Sequence, residues 1–255
     1  MGPAAGGDAA FRSRSTRSWL WNVSGDVGRL AAFARTQGVA DIAVAVPWDG
    51  VTPAVADAVR AFRLAGSAVT ALGAQNSWAL DSGPALAWAR RVTRHTRFDE
   101  LHLDVEFWNL AEYHVDPVGC VDGFVSLVTA LRTSLDLSVV VDLPAGLAID
   151  SPESFRRCAS AARAVTLLAY RDRADRIGEF SASARELLAE VDIPYHLGVE
   201  TQPASAAVPS AITFGDDGRA VLDRELSLAT ALLTDDTRFR GWAVHHLRSW
   251  AELRD

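Results

Sequence analysis

The sequence predicts an α/β protein, a (β/α)8 TIM barrel in a single domain. Three observations carry this. Eight apolar, strand-like segments follow one another between Ser18 and His246, and each except the last is trailed by a helix-like stretch or a loop and helix. Such alternation calls for a parallel sheet covered by helices, and eight units in about 240 residues suit a closed barrel better than an open sheet. No glycine-rich phosphate fingerprint follows the first strand, as a doubly wound dinucleotide fold would need. The length, 255 residues, is the usual size of one such barrel.

The segments fall in order. Residues 1–17, Gly/Ala-rich and then Arg/Ser-rich, read as a flexible N-terminal tail, and 18–255 as the barrel. Ser18 to Asn22 is the first predicted strand, with the helix 27–37 behind it, where Leu30, Ala31, Phe33 and Ala34 share one stripe. Asp41 to Pro47 is the second strand, and its helix, 53–64, opens on Pro53 and stops before Gly66. The third strand, 68–72, leads through the loop 73–80 to a helix over 84–95. Strand four is the stretch 98–108, followed by a helix over 117–134. The β-branched run 138–143 is strand five, and the helix 152–162 has Ser151 before it as a cap. Strands six (165–170), seven (195–200) and eight (241–246) alternate with helices over 177–191 and 220–233, and a short helix over 250–254 closes the chain.

Bulk properties narrow the function. With 49% hydrophobic and 22% charged residues the chain can bury a large core, and nothing suggests disorder. A net charge of −7 gives no basic stripe for nucleic acid. No apolar run is long enough to span a bilayer, and residues 1–17 lack the apolar core of a secretory signal, so a cytoplasmic protein with a small-molecule substrate is the expectation. Cys120 and Cys158 have no paired spacing and read as free thiols.

In this fold chemistry sits at the C-terminal ends of the strands. Every end here carries polar or aromatic residues: Trp21 and Asn22, Trp48 and Asp49, Gln75, Asn76 and Trp78, then Asp104, Glu106 and Trp108. Asp142, Tyr170 with Arg171 and Asp172, Glu200 with Gln202, and His245, His246 and Trp250 complete the rim. Strand four is the most informative. Leu101, Leu103, Val105 and Phe107 alternate with His102, Asp104 and Glu106, so one face is apolar and the other holds an imidazole and two carboxylates. In a helix-covered barrel that second face points inward. Carboxylates two apart on a strand lie roughly 6.5–7 Å from each other, near enough for one charge to keep the other protonated. The tryptophans at four successive strand ends, Trp21, Trp48, Trp78 and Trp108, read as a pocket wall able to stack on sugar rings or on an apolar or cationic ligand. His102 and His196, deep in their strands, read as hydrogen-bonded core histidines. His245 and His246 are adjacent, so only one can enter the barrel.

The chain resembles the family-18 glycoside hydrolases, the chitinase-like barrels. Their strand-four signature, Asp-x-x-Asp-x-Asp-x-Glu, lines up with 99–106, where His102 stands in place of one carboxylate. Their strand-six Met-x-Tyr-Asp lines up with 168–171, where Arg171 replaces the aspartate. The segments 103–106, 169–172, 198–202 and His245-His246…Ser249-Trp250 are similar to bacterial barrel proteins of that type. The resemblance implies Glu106 as general acid, Asp104 as the residue that orients the substrate's N-acetyl group and stabilises a cyclic intermediate, and Tyr170 as the hydroxyl that holds that group. The two departures point away from chitin, and the short chain without a secretion signal points toward a small cytosolic substrate rather than a polymer.

Three functions compete. The first is a glycosidase-like acid/base enzyme with Glu106 as proton donor, Asp104, Asp142 or Glu200 as second carboxylate, and Trp21, Trp48, Asn76, Trp78, Trp108, Arg171, Gln202, His246 and Trp250 binding substrate. The second is a biosynthetic cyclase, isomerase or lyase using the same acid, with tryptophans sheltering a cation. The third is a divalent-metal hydrolase built on Asp104, Glu106, Glu200 and His246. No zinc spacing occurs, and no cofactor is expected for the first two.

Overall fold

The computed structural model describes residues 15–94, 96–135 and 137–255. Eight parallel strands close a barrel in sequence order: β1 (Ser15–Leu20), β2 (Val39–Ala45), β3 (Ala68–Gly73), β4 (Glu100–Leu103), β5 (Ser138–Pro144), β6 (Ala164–Leu168), β7 (Tyr195–Glu200) and β8 (Phe239–His245). The crossovers are α1 (Val27–Thr36), α2 (Pro53–Leu64), α3 (Ser82–Thr93), α4 (Ala111–Val115), α5 (Pro117–Ser134), α6 (Ala145–Asp150), α7 (Pro152–Ala161), α8 (Ala174–Glu190) and α9 (Arg219–Leu232), with α10 (Leu247–Glu252) last. The expected (β/α)8 barrel is the observed fold.

Local chemistry explains the helix starts. Asp26 accepts from the Arg29 amide to cap α1, and Thr52 caps α2 just before Pro53. Asp116 does the same for α5. Ser151 precedes α7 as expected, but its side chain makes no capping bond. Helix stripes such as Val55, Ala58, Val59 and Phe62 on α2 bury against the outward face of the strands. Burying one such Phe or Val side chain contributes roughly 1.5–3 kcal/mol. Cys120 and Cys158 are free thiols, buried on α5 and α7. Among the described residues, no helix is long and apolar enough to cross a membrane.

Two strands depart from expectation. The ladder of β1 begins at Ser15, so residues 15–17 belong to the barrel; the rest of the expected tail, and residue 95 at the end of the third helix, lie outside the described residues. β4 ends at Leu103 because its partner β3 ends at Gly73, which pairs with Leu103 and takes one further bond from the Asp104 amide. The inward and outward alternation nevertheless persists: Val105 and Phe107 are fully buried in the outer core, and Asp104 and Glu106 are half-buried.

The seam between the first and last strands rests on Gly241. It pairs with Ser15, has φ +127°, and a Cβ there would sit 2.0 Å from the Ser15 carbonyl oxygen, so only glycine fits. Inside the barrel Trp19, Ala43, Leu72 and Ala243 form a small apolar layer separate from the outer core. Below it lie Arg17, Asp41, Thr70, Glu100 and His196; above it is the mouth.

Candidate active site

Asp104 and Glu106 stand where β4 gives way to a single turn, Phe107–Asn109. The Glu106 amide donates to Asn76 Oδ1 at 3.0 Å, which ties this turn to the one after β3, and Asn109 Nδ2 donates to Glu106 Oε2 at 2.8 Å. Burial, then the charges of Asp142 and Glu106, hold the Asp104 carboxyl well above the usual range. Its Oδ1 is buried without a hydrogen-bond partner. Glu106 is raised by burial and by Asp142, against the opposing pull of Asn109 and His245.

The other two candidate carboxylates are engaged. Asp142, from β5, accepts from the Trp19 indole at 3.1 Å and lies 2.6 Å from His102 Nε2. Glu200, at the end of β7, takes the backbone amides of Thr201 and Gln202 on Oε1, and His245 Nδ1 lies 2.8 Å from its Oε2. Burial alone would raise Glu200, but these bonds outweigh it and hold its pKa below the usual value. Tyr170 keeps its proton: burial and the surrounding Glu200, Asp142, Asp104 and Glu106 all push its pKa up. The mutual influence of these five groups means that β4, β5, β6 and β7 deliver them to one region. Gln202 reaches Glu200 through its side chain, at 3.4 Å.

The expected role of His246 is corrected. β7 and β8 are registered so that Glu200 opposes His245, and it is His245 that enters the mouth. The Trp21 indole donates to its Nε2 at 2.7 Å, and the rings of Trp19, Trp21 and Tyr170 surround it at 5.3–6.0 Å. His246 instead caps α10, its Nδ1 facing the Ser249 amide at 3.4 Å while Ser249 Oγ accepts from the His246 amide. Burial and the neighbouring His245 lower its pKa to about 4.

The tryptophans divide. Trp21, Trp48 and Trp78 line a cleft of about 370 Å³ with Gln75 and Trp88. Trp48 is 49% exposed, with Arg91 over its ring, while Trp78 is nearly buried against Trp88 and forms a floor. Trp21 links the two halves of the site, since it lines this cleft and bonds to His245. Trp108 is half-buried, edge-on to Phe107. Trp250 lies outside the mouth. It belongs to a helix rather than a strand end, and packs into the outer core against Phe33. Arg171 also turns away, its guanidinium stacked 3.6 Å over Phe180 and bonded to the Tyr170 carbonyl.

The metal set Asp104, Glu106, Glu200 and His246 is not assembled. Among the described residues, no three His, Cys, Asp or Glu side chains are grouped to hold a metal ion, and Glu200 and His246 have the other partners described above. His102 and His196 make the core bonds expected of them, His196 with Ser15 Oγ at 3.0 Å. Trp19 and His245 join the site beyond the residues expected from the sequence. The alternation carries the signal for Trp19: it lies two residues before Trp21, so both point to the inner face of β1 and its extension.

No protein-family model and no curated protein sequence matches the chain. Solved structures do. The spore cortex-lytic enzyme SleL of Bacillus cereus superposes with a TM-score of 0.59 at 11% identity, over 94% of this chain and 73% of that one. A glycoside hydrolase family 18 N-acetylglucosaminidase from Paenibacillus barengoltzii gives 0.58 at 11% identity, over 94% and 99%. The chitinase ICChI from Ipomoea carnea gives 0.59 at 14% identity, over 92% and 96%. At such identities the likeness is one of architecture, that of the closed (β/α)8 barrel.

Proposed function

We propose that the protein is a glycosidase-like acid/base hydrolase acting on a small, sugar-like substrate, with Glu106 as the proton donor. The observation that carries this is Asp104. A buried carboxyl with an unpartnered oxygen, set between two further carboxylates, is costly to fold around and useful only if something arrives to bond it. Burial and Asp142 also raise the Glu106 carboxyl above its ordinary value, the direction a general acid needs.

In this mechanism Glu106 protonates the departing glycosidic oxygen. Asp104 receives a donor of the substrate on its free oxygen, or gives its own proton to an acceptor there, and orients the sugar beside the bond that breaks. The Tyr170 hydroxyl, kept neutral, is the second donor. Trp21 and Trp48 offer faces to the sugar ring. Two of the barrel neighbours named above are an N-acetylglucosaminidase and a chitinase, which accords with this reading.

Hydrolysis of a panel of aryl glycosides by the wild type and Glu106→Gln tests it. The variant should lose about 10²–10⁴ in kcat. Equal rates, or no hydrolysis by either, would count against it. A second reading keeps the acid and changes the outcome: a cyclase, isomerase or lyase, favoured by the tryptophan-lined cleft, where a cation can be sheltered. Rearranged rather than hydrolysed products would select it.

A further inference from the structure

Hydrolysis needs a group that activates water, and the two remaining carboxylates of the mouth are committed: Asp142 to His102 and Trp19, Glu200 to two amides and His245. His245 is different. An indole N–H can only donate, so the bond from Trp21 fixes Nε2 as an acceptor and places the proton of the neutral ring on Nδ1, facing Glu200. A carboxylate behind an imidazole fixes its tautomer and stabilises the imidazolium formed when the far nitrogen takes a proton. The far nitrogen here accepts a hydrogen bond from the Trp21 indole. Trp21 lies just beyond β1, in the irregular segment 21–26, and lines the cleft that a ligand would enter.

We propose that His245 Nε2 is the base that activates the attacking water, with Glu200 as its positioning residue and Trp21 as a displaceable cap. This rests on the hydrolase reading above. When a ligand in the cleft moves the indole aside, Nε2 accepts a proton from water as the water oxygen bonds to the anomeric carbon. The bond to the leaving oxygen breaks with its electron pair, and that oxygen takes the proton of Glu106. Glu106 carboxylate and His245 imidazolium remain, and proton exchange through solvent restores both. The groups facing the imidazole are Glu200, Glu106, Tyr170 and His246, with Trp19 edge-on against the ring.

Two experiments decide it. Diethyl pyrocarbonate acylation, mapped by peptide mass, reads the availability of Nε2 in wild type and Trp21→Phe, with exposed His114 as the internal reference. Removing the cap should raise acylation of His245 roughly tenfold, the worth of one hydrogen bond. A His245 equally unreactive in both proteins overturns the proposal. Trp21→Tyr serves if Trp21→Phe does not fold. On a substrate the wild type hydrolyses, His245→Gly should lose about 10²–10⁴ in kcat and regain part of it with added imidazole, which a packing role would not allow. Glu200→Asp should retain more activity than Glu200→Gln. Wild-type rates in His245→Gly, or a folded His245→Gly that imidazole does not restore, overturn the proposal. If Glu106→Gln still abolishes hydrolysis, the hydrolase reading survives either result. No hydrolysis by the wild type removes both.

Discussion

The two ends of the barrel interior hold charge in opposite ways. At the lower end Arg17 reaches Asp41 at 3.3 Å and Glu100 at 2.8 Å, and Thr70 donates to Asp41 at 2.8 Å. Burial still raises Asp41, but Arg17 and Thr70 oppose it. At the mouth the charges acting on Asp104 are both carboxylates, as are all four acting on Tyr170. The nearby Arg171 is spent on Phe180. One end is compensated and serves the fold. At the other, Asp104 and Glu106 are left beside like charge, which costs stability and raises both carboxyls, the direction the proposed general acid needs.

Substitutions at the two ends should therefore have opposite signs. Arg17→Met strands two partly buried carboxylates and should lower unfolding free energy by about 3 kcal/mol in chemical denaturation, since breaking one side of a buried pair is what costs most. A loss no larger than that of an exposed arginine would erase the contrast. Asp104→Asn should do the reverse, raising the thermal midpoint at neutral pH while abolishing activity. The sign follows from its raised pKa: the unfolded chain releases this proton first, so the native state loses stability as pH rises above the ordinary carboxyl range, and asparagine removes that loss. A lower midpoint for the variant would mean that the acid is a structural bond after all.

The smallest effect tests where the mouth ends. His246 has its pKa lowered to about 4 from 6.5, so the unfolded chain takes up the proton first. Its contribution is present above about pH 6.5 and is lost as pH falls through about 4. His246→Asn keeps a favoured helix cap and should flatten unfolding curves measured between these limits, with activity little changed. A large loss of activity instead would return His246 to the site.

The barrel was legible because each strand is an apolar run with a helical stripe behind it, a pattern independent of register. The acidic pair was legible for a related reason: the period-two alternation at 101–107 survives even though the ladder stops at Leu103. What could not be read depends on contacts between strands. Ser15 to Arg17 looked like a tail because their side chains lack apolar alternation, and Arg17 lacks it because it points into a polar layer. The choice between His245 and His246 is set by which one opposes Glu200, a matter of register that neighbouring residues do not disclose. Trp250 and Arg171 stand close to strand ends yet pack against Phe33 and Phe180, because proximity to a strand end does not fix the direction of a side chain.

The seam at Gly241 has a consequence for how the protein comes into being. Trp21 and His245 are 224 residues apart in the chain, and their meeting requires β8 to dock against Ser15 across a residue that tolerates no side chain. A chain without β8 carries Glu106 and Asp104 but not the Trp21–His245–Glu200 arrangement, which forms only with ring closure.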